Sequence, residues 1–438
     1  MSESNKIDFL IEARWVLSVQ PRGQVLEHTA LAIAGGRVAD ILPIMEARQR
    51  YPGIKAIPLH QHAVMPGMVN LHTHAAMTLM RGLADDIPLM HWLNDHIWPA
   101  EAKVVSEQFV RDGTLLGCAE MLRGGTTCFN DMYFFPTAAA EAVEQSGIRA
   151  NLGLVMLEFP SAYANDADDY LHRGLEARDA CRGRARIGFS LAPHAPYTVS
   201  DRSFQKALVY AEQLGIGLHL HLHETNDEVA GSETQHGLRP IQRLLGLGLL
   251  GPNVTAAHCV HMTPQEIQTL ATQGCHVAHC PSSNLKLGSG IAPVAAMLQA
   301  GINVGLGTDG AASNNRLDMF AEMRLAALLA KSSGDASALP ATQALEMATI
   351  NGARALGLDH EIGSIACGKL ADLVAIDFGS IEMSPCYDPV SHLVYVAGRE
   401  HVTHTWVGGE LRYERGVHEG IDMAELKEIV TVWQSKLK

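Results

Sequence analysis

The sequence lacks a cationic surplus: Lys and Arg total 33 against 47 Asp and Glu, a formal net charge of −14 at pH 7. Without a basic block the attraction that drives phosphate-backbone binding is missing, so nucleic acid is not an expected partner. The same argument says nothing against an uncharged nucleoside. There is no apolar run approaching the ~18–20 residues of a membrane span, and no Cys-x-x-Cys pair. The eight cysteines, Cys118, Cys128, Cys181, Cys259, Cys275, Cys280, Cys367 and Cys386, are scattered along the chain. In a chain this long they read as buried thiols in a reducing compartment, not as a disulfide framework. The stretch Met1-Ser2-Glu3-Ser4-Asn5-Lys6-Ile7-Asp8 is polar and acidic where a secretory signal would be basic and then apolar. These absences together lead us to expect a soluble cytoplasmic protein that engages neither nucleic acid nor membrane.

What is present suits a large α/β enzyme. A length of 438 residues, with 47% hydrophobic and 18% charged, allows a substantial core and fits one large barrel plus an accessory unit. The first ~65 residues read as short strands and turns: Phe9-Leu10-Ile11, Ala30-Leu31-Ala32-Ile33 before Gly35-Gly36, and Ala63-Val64-Met65. The far end resumes that style at Ala371–Asp377 and His401–Val407, with a turn at Gly408-Gly409. Between them the rhythm changes to short apolar strands alternating with longer amphipathic stretches, the signature of βα units. Strands are expected at Met68–Leu71, Arg186–Ser190, Leu218–His221, Val254–His258 and Asn303–Gly307. Helices are expected at Ser106–Arg123, Asp201–Leu214, Thr263–Gln273 and Asp318–Lys331. The expected fold is therefore a TIM-type (β/α)8 barrel over residues 66–360. A small β-sandwich domain would be assembled from residues 1–65 and 361–438.

Chemistry in such barrels sits where strands end, and this chain places histidines and carboxylates there. His72 and His74 form His-x-His after the first barrel strand, and side chains two apart in an extended chain point the same way. His221 ends another strand with Glu224 three residues on, His258 ends a third, and Asp309 follows Asn303–Thr308. Neutral imidazoles with one carboxylate and an open position for water suit zinc or another late first-row metal. Each residue alone has an ordinary explanation: with 22 histidines a chance His-x-His is unremarkable, and Asp309 alone could cap a turn. His219, His221 and His223 share one strand face, so spacing does not say which of them is the ligand. The set, repeated at successive strand ends, is what packing does not explain.

The stretch Val64-Met65-Pro66-Gly67-Met68-Val69-Asn70-Leu71-His72-Thr73-His74, with Met77 to Gly82 beyond it, resembles the amidohydrolase superfamily. So do Ala192-Pro193-His194-Ala195-Pro196, His221-Leu222-His223-Glu224-Thr225, Ala257-His258-Cys259, Cys280-Pro281-Ser282-Ser283-Asn284 and Gly307-Thr308-Asp309-Gly310. The match is nearest to the 5'-methylthioadenosine/S-adenosylhomocysteine deaminases of the chlorohydrolase and cytosine-deaminase-like group, and it covers nearly the whole chain. It implies that His72, His74, His221 and Asp309 ligate one divalent metal per subunit, zinc by default, although iron, manganese or nickel would suit the same donors. It also implies that His258 orients the attacking water, that Glu224 carries a proton to the substrate ring and that Asp309 accepts one. Binuclear members hold a carbamylated lysine on a mid-barrel strand, and no lysine occurs here between Lys103 and Lys206. One metal is therefore expected.

The resemblance further implies substrate contacts: Glu101 accepting hydrogen bonds from ribose hydroxyls, and His194 meeting a purine ring. Trp92 could line the pocket or belong to the core beside Met90 and Leu93. Relatives that accept S-adenosylhomocysteine grip its carboxylate with arginines, yet Asn151-Leu152-Gly153-Leu154-Val155-Met156-Leu157 offers none. An apolar wall suits a methylthio tail better, although Arg173 could compensate. The expected substrate is thus 5'-methylthioadenosine, with adenosine and S-adenosylhomocysteine as lesser ones. The alternatives are a guanine- or cytosine-type free-base deaminase, a triazine hydrolase on the same scaffold, or a non-catalytic assembly protein. The resemblance also allows a homodimer.

Overall fold

The computed structural model describes residues 6–438, so most of the polar N-terminal stretch considered above lies outside the described residues. Four strands open the chain: β1 (Phe9–Leu17), β2 (Val25–Ala34), β3 (Arg37–Pro43) and β4 (Ala56–Pro66). Eight more follow: β5 (Met68–Thr73), β6 (Thr126–Tyr133), β7 (Arg149–Met156), β8 (Ile187–Pro193), β9 (Gly217–Leu222), β10 (Val254–His258), β11 (His276–His279) and β12 (Asn303–Leu306). These eight pair in chain order, every pair parallel. The first and last are drawn together just beyond β12. There the Asp309 N–H donates to the His72 carbonyl at 2.9 Å, and the Asn70 amide bridges to Thr308 through both its nitrogen and its oxygen. The result is the TIM-like barrel.

The remaining strands, β13 (Leu373–Asp377), β14 (Val402–Val407), β15 (Glu410–Glu414) and β16 (Val417–His418), join the first four in one sheet of order β16-β15-β14-β13-β4-β1-β2-β3. All its pairings are antiparallel except β1 with β4. The sandwich is this single sheet folded over its own core. Arg37 at the head of β3 bridges back to Leu370, just ahead of β13, and Ile11, Leu31, Val64, Leu373 and Trp406 are sealed inside. Gly36 meets the Gly408–Gly409 turn so closely that a Cβ on Gly36 would lie 2.5 Å from the Gly408 carbonyl oxygen.

Barrel strands are covered on both sides, which is why Val254-Thr255-Ala256-Ala257-His258 is buried throughout. The long helices begin and end where capping chemistry dictates. Ser106 caps Glu107–Arg123, and Ser200 caps Asp201–Leu214, which Gly215 closes at φ 63°. A capping box of Thr263 and Glu266 opens Pro264–Gln273, and the Asp318 carboxylate opens Met319–Ala330. The last helix, Met423–Leu437, packs on the barrel: the Trp433 indole N–H donates to Asp112 on the Glu107–Arg123 helix at 2.8 Å. Among the described residues no helix is long and apolar enough to cross a membrane.

Candidate active site

The histidines and carboxylates named above converge at one end of the barrel. One ligand atom each from His72, His74, His221 and Asp309 lies within 4.8 Å of all the others, the one such group among the described residues. His72 and His74 sit at the end of β5 with their Nε2 atoms 3.3 and 3.1 Å from Asp309 Oδ1. His221 Nε2 stands 3.4 Å from His74 Nε2.

The surroundings aim these donors inward. The His74 Nδ1–H donates to the Met132 carbonyl at 2.6 Å and the His221 Nδ1–H to the His194 carbonyl at 2.8 Å, which leaves both Nε2 lone pairs facing the cluster. On Asp309 the hydroxyls of Ser283 and Ser313 donate to Oδ2 at 2.6 and 2.7 Å, so Oδ1 is the oxygen turned to the histidines. Burial pushes the His221 imidazole well below its usual pKa and the His72 imidazole down to about 4, favouring their neutral forms, whereas at His74 burial is overcome by the Asp309 carboxylate, which raises the imidazole to about 9, so a metal would have to displace that proton. Burial alone would raise the Asp309 carboxyl, but the adjacent imidazoles of His72 and His74 overcome it and hold the group well below the ordinary range. His72 Nε2 is wholly buried with no hydrogen-bond partner, an orphan that an ion at the centre of the cluster would satisfy. Both His258 (φ 72°) and Asp309 (φ 59°) hold left-handed backbone, a strain that side-chain-bearing residues keep where a function fixes them. The donor set fits a divalent metal.

Above the cluster opens a cavity, and every remaining site residue expected from the sequence lines it: Glu224, His258, Glu101, His194 and Trp92. Glu224 follows β9, its carboxyl raised by burial, with Oε2 3.8 Å from His258 Nε2. His258 is held from behind by Asn284, 2.8 Å from its Nδ1. Burial, seconded by the neighbouring imidazoles, keeps His194 neutral, its pKa near 3. Glu101 rides on the helix Trp98–Val104 and takes a 2.6 Å hydrogen bond from the Tyr133 hydroxyl. Trp92 opens the π-helical turn Trp92–Ile97 just before that helix, so it is both core and wall. Its indole N–H is buried without a partner.

The three histidines of β9 and its loop separate cleanly. His223 spends both ring nitrogens on structure, Nδ1–H donating to the His261 carbonyl at 3.0 Å and Nε2 accepting the Ile241 N–H at 3.2 Å. His219 lies beneath the cluster, its Nε2 2.9 Å from His72 Nδ1. Only His221 reaches the ligand group. Sequence reasoning passed over Ser283, which stands inside a quoted motif, and Ser313, four residues beyond Asp309. It also passed over Glu228, whose carboxylate oxygens accept the His223 and Glu224 N–H groups at 2.8 Å each. Val155 and Leu157 line the cavity as the apolar wall, and no arginine does among the described residues. Arg173 is paired instead with Asp169 at 2.9 Å.

A parallel barrel carrying a three-histidine, one-aspartate cluster at the floor of a pocket defines a hydrolase built around a single divalent metal. The model of the amidohydrolase family matches residues 63–412, and this chain belongs to that family. Relatives include the 5-methylthioadenosine/S-adenosylhomocysteine deaminase of Teredinibacter turnerae, 46% identical over 100% of this chain and 99% of that one. The 5'-deoxyadenosine deaminase of Methanosarcina mazei is 44% identical over 92% of each. Among solved structures, an adenosine deaminase from Xanthomonas campestris with bound zinc superposes with a TM-score of 0.97 at 46% identity, covering 98% of both chains. The atrazine chlorohydrolase of Arthrobacter aurescens, at 23% identity and a TM-score of 0.89, shares the fold.

Proposed function

We propose that the protein is a zinc-dependent hydrolytic deaminase of adenine nucleosides, with 5'-methylthioadenosine preferred over adenosine and S-adenosylhomocysteine. The observation that carries the reading is the placing of Glu224 and His258 3.8 Å apart over the metal cluster, in the one cavity that also holds His194 and Glu101. Full-length relatives named for this chemistry support it.

His72, His74, His221 and Asp309 would hold the metal, which when bound lowers the pKa of a water towards neutrality and so supplies a nucleophile at working pH. The protein's own residues do the rest. Glu224, protonated more readily than an ordinary carboxylate because it is buried, delivers a proton to ring N1 as C6 is attacked. Of the two protons of the attacking water, one replaces the proton that Glu224 gives up and the other passes through Asp309 to the departing amine, which leaves as ammonia. His258 accepts a hydrogen bond that orients that water. His194 stays neutral beside the ring, and Trp92 lines the same cavity. Glu101 accepts from the vicinal ribose hydroxyls, which speaks against a free base or a triazine. Val155, Leu157 and Phe159 give a thioether tail apolar contact and a carboxylate no partner.

The test is ultraviolet-monitored deamination by zinc-loaded protein of 5'-methylthioadenosine, adenosine and S-adenosylhomocysteine, with guanine as control. Loss of adenine absorbance led by 5'-methylthioadenosine is expected. Equal kcat/KM on both thioethers would overturn the preference, and turnover of guanine alone would overturn the nucleoside reading.

A further inference from the structure

Glu101 is held by one side chain, and that side chain is in neither the metal cluster nor the proton-transfer pair. Tyr133 closes β6 and is 6% exposed. Its hydroxyl donates to Glu101 Oε1 at 2.6 Å, tying a barrel strand end to the helix Trp98–Val104 across the cavity wall. Glu101 Oε2 has no protein partner among the described residues. Two effects compete on this carboxyl. Burial is the larger and leaves its pKa raised to about 7 even with the Tyr133 hydroxyl opposing the rise. Tyr133 itself cannot ionise in the working range, because burial and then the charge of Glu101 push the phenol well above 10. It therefore keeps its proton, and towards the ionised Glu101 carboxylate, which has no hydrogen to give, it acts as the donor.

We propose that Tyr133 is a positioning residue for diol recognition: by clamping Glu101 Oε1 it presents the carboxylate edge to the two vicinal hydroxyls of the substrate's ribose. The clamped oxygen keeps one lone pair and the free oxygen two, enough acceptors for both hydroxyls. Without the clamp the carboxylate turns about its last bond and burial favours the neutral acid, which puts a donor where an acceptor is needed. Tyr133 touches no reacting atom, so its loss acts on substrate binding and leaves the chemical step alone. The role rests on the nucleoside reading above.

The experiment compares wild type with Tyr133→Phe, which removes only the hydroxyl, on adenosine and on 2',3'-dideoxyadenosine, using the metal-loaded enzyme. KM for adenosine is expected to rise about tenfold with kcat nearly unchanged, the size of one hydrogen bond to a charged group, while KM for the dideoxy compound stays the same. A second readout does not depend on turnover: with Glu224→Gln as a metal-retaining, slow background, the gain in unfolding midpoint that adenosine gives over 2',3'-dideoxyadenosine should shrink when Tyr133→Phe is added. An equal KM rise on both substrates would make Tyr133 a merely structural residue, and no rise on either would remove it from recognition; each overturns the proposal. Failure of the nucleoside reading is distinguishable, because wild type would then neither turn over nor be stabilised by either nucleoside, and the role of Tyr133 would fall with it.

Discussion

Single residues in this site owe their properties to what lies behind them. Glu224 is the clearest case: burial raises its carboxyl, and the charge of Asp309 adds to the rise. Glu224→Gln keeps the volume and one acceptor but cannot carry a proton. We expect it to retain its metal, measured by atomic absorption, and to lose about 10²–10⁴ in kcat, the range of general acid–base catalysis. Turnover near wild type would remove Glu224 from the proton path. Composition and spacing showed where the histidines cluster but not which of His219, His221 and His223 faces the metal, since all three share a strand parity. The ambiguity is resolved by partners far off in sequence: His261 and Ile241 claim His223, and His72 claims His219. Such contacts leave no trace in local spacing.

Elements with strong local signals were readable, and those shaped by the site were not. The helix Asp201–Leu214 matches its expected bounds, and the other three expected helices shift only by assigning Ser106, Thr263 or Asp318 to the N-cap and, in the last, Lys331 to the C-cap. By contrast β6, Thr-Thr-Cys-Phe-Asn-Asp-Met-Tyr, buries the polar Asn130 and Asp131 and so lacks the apolar run of a buried strand. The π-helical turn at Trp92–Ile97 likewise follows from pocket geometry and not from propensity. The loop after β9 shows how an element sets a catalytic distance. Glu228, at the third position of the helix Asn226–His236, reaches back to the N–H groups of His223 and Glu224 and so fixes where Glu224 leaves the strand. Glu228→Gln can accept from only one of them through its oxygen and leaves the other buried donor facing an amide. The expected result is a loss of about 1–3 kcal/mol in stability and a fall in kcat of about 10–100-fold from the displaced Glu224, with metal content unchanged. A variant with full kcat would show that the loop is held by other means.

At the scale of the whole molecule the small folded sheet and the chemistry keep to opposite ends of the barrel. The metal cluster gathers at the C-terminal ends of β5, β9 and β12. The sheet abuts the N-terminal ends, where Gly125 meets Val374, Arg186 pairs with Glu410 at 2.9 Å, and Arg149 at the start of β7 pairs with Asp372 at 3.2 Å. The last pair is buried on both sides, and Asp372 also accepts the Gly408 N–H at 2.6 Å, so one carboxylate anchors the barrel strand and the turn that closes the sheet. A buried ion pair adds little over a well-packed apolar substitute, but breaking one strands a charge, at a cost of about 3–5 kcal/mol. Asp372→Asn keeps the shape and removes the charge from beside Arg149. We expect a clear fall in the unfolding midpoint by calorimetry, while kcat per bound metal at 25 °C stays at the wild-type value, because no site residue touches the pair. If kcat per metal fell along with the midpoint, the two ends of the barrel would be coupled. The small sheet would then shape the active site as well as stabilise the strands that carry it.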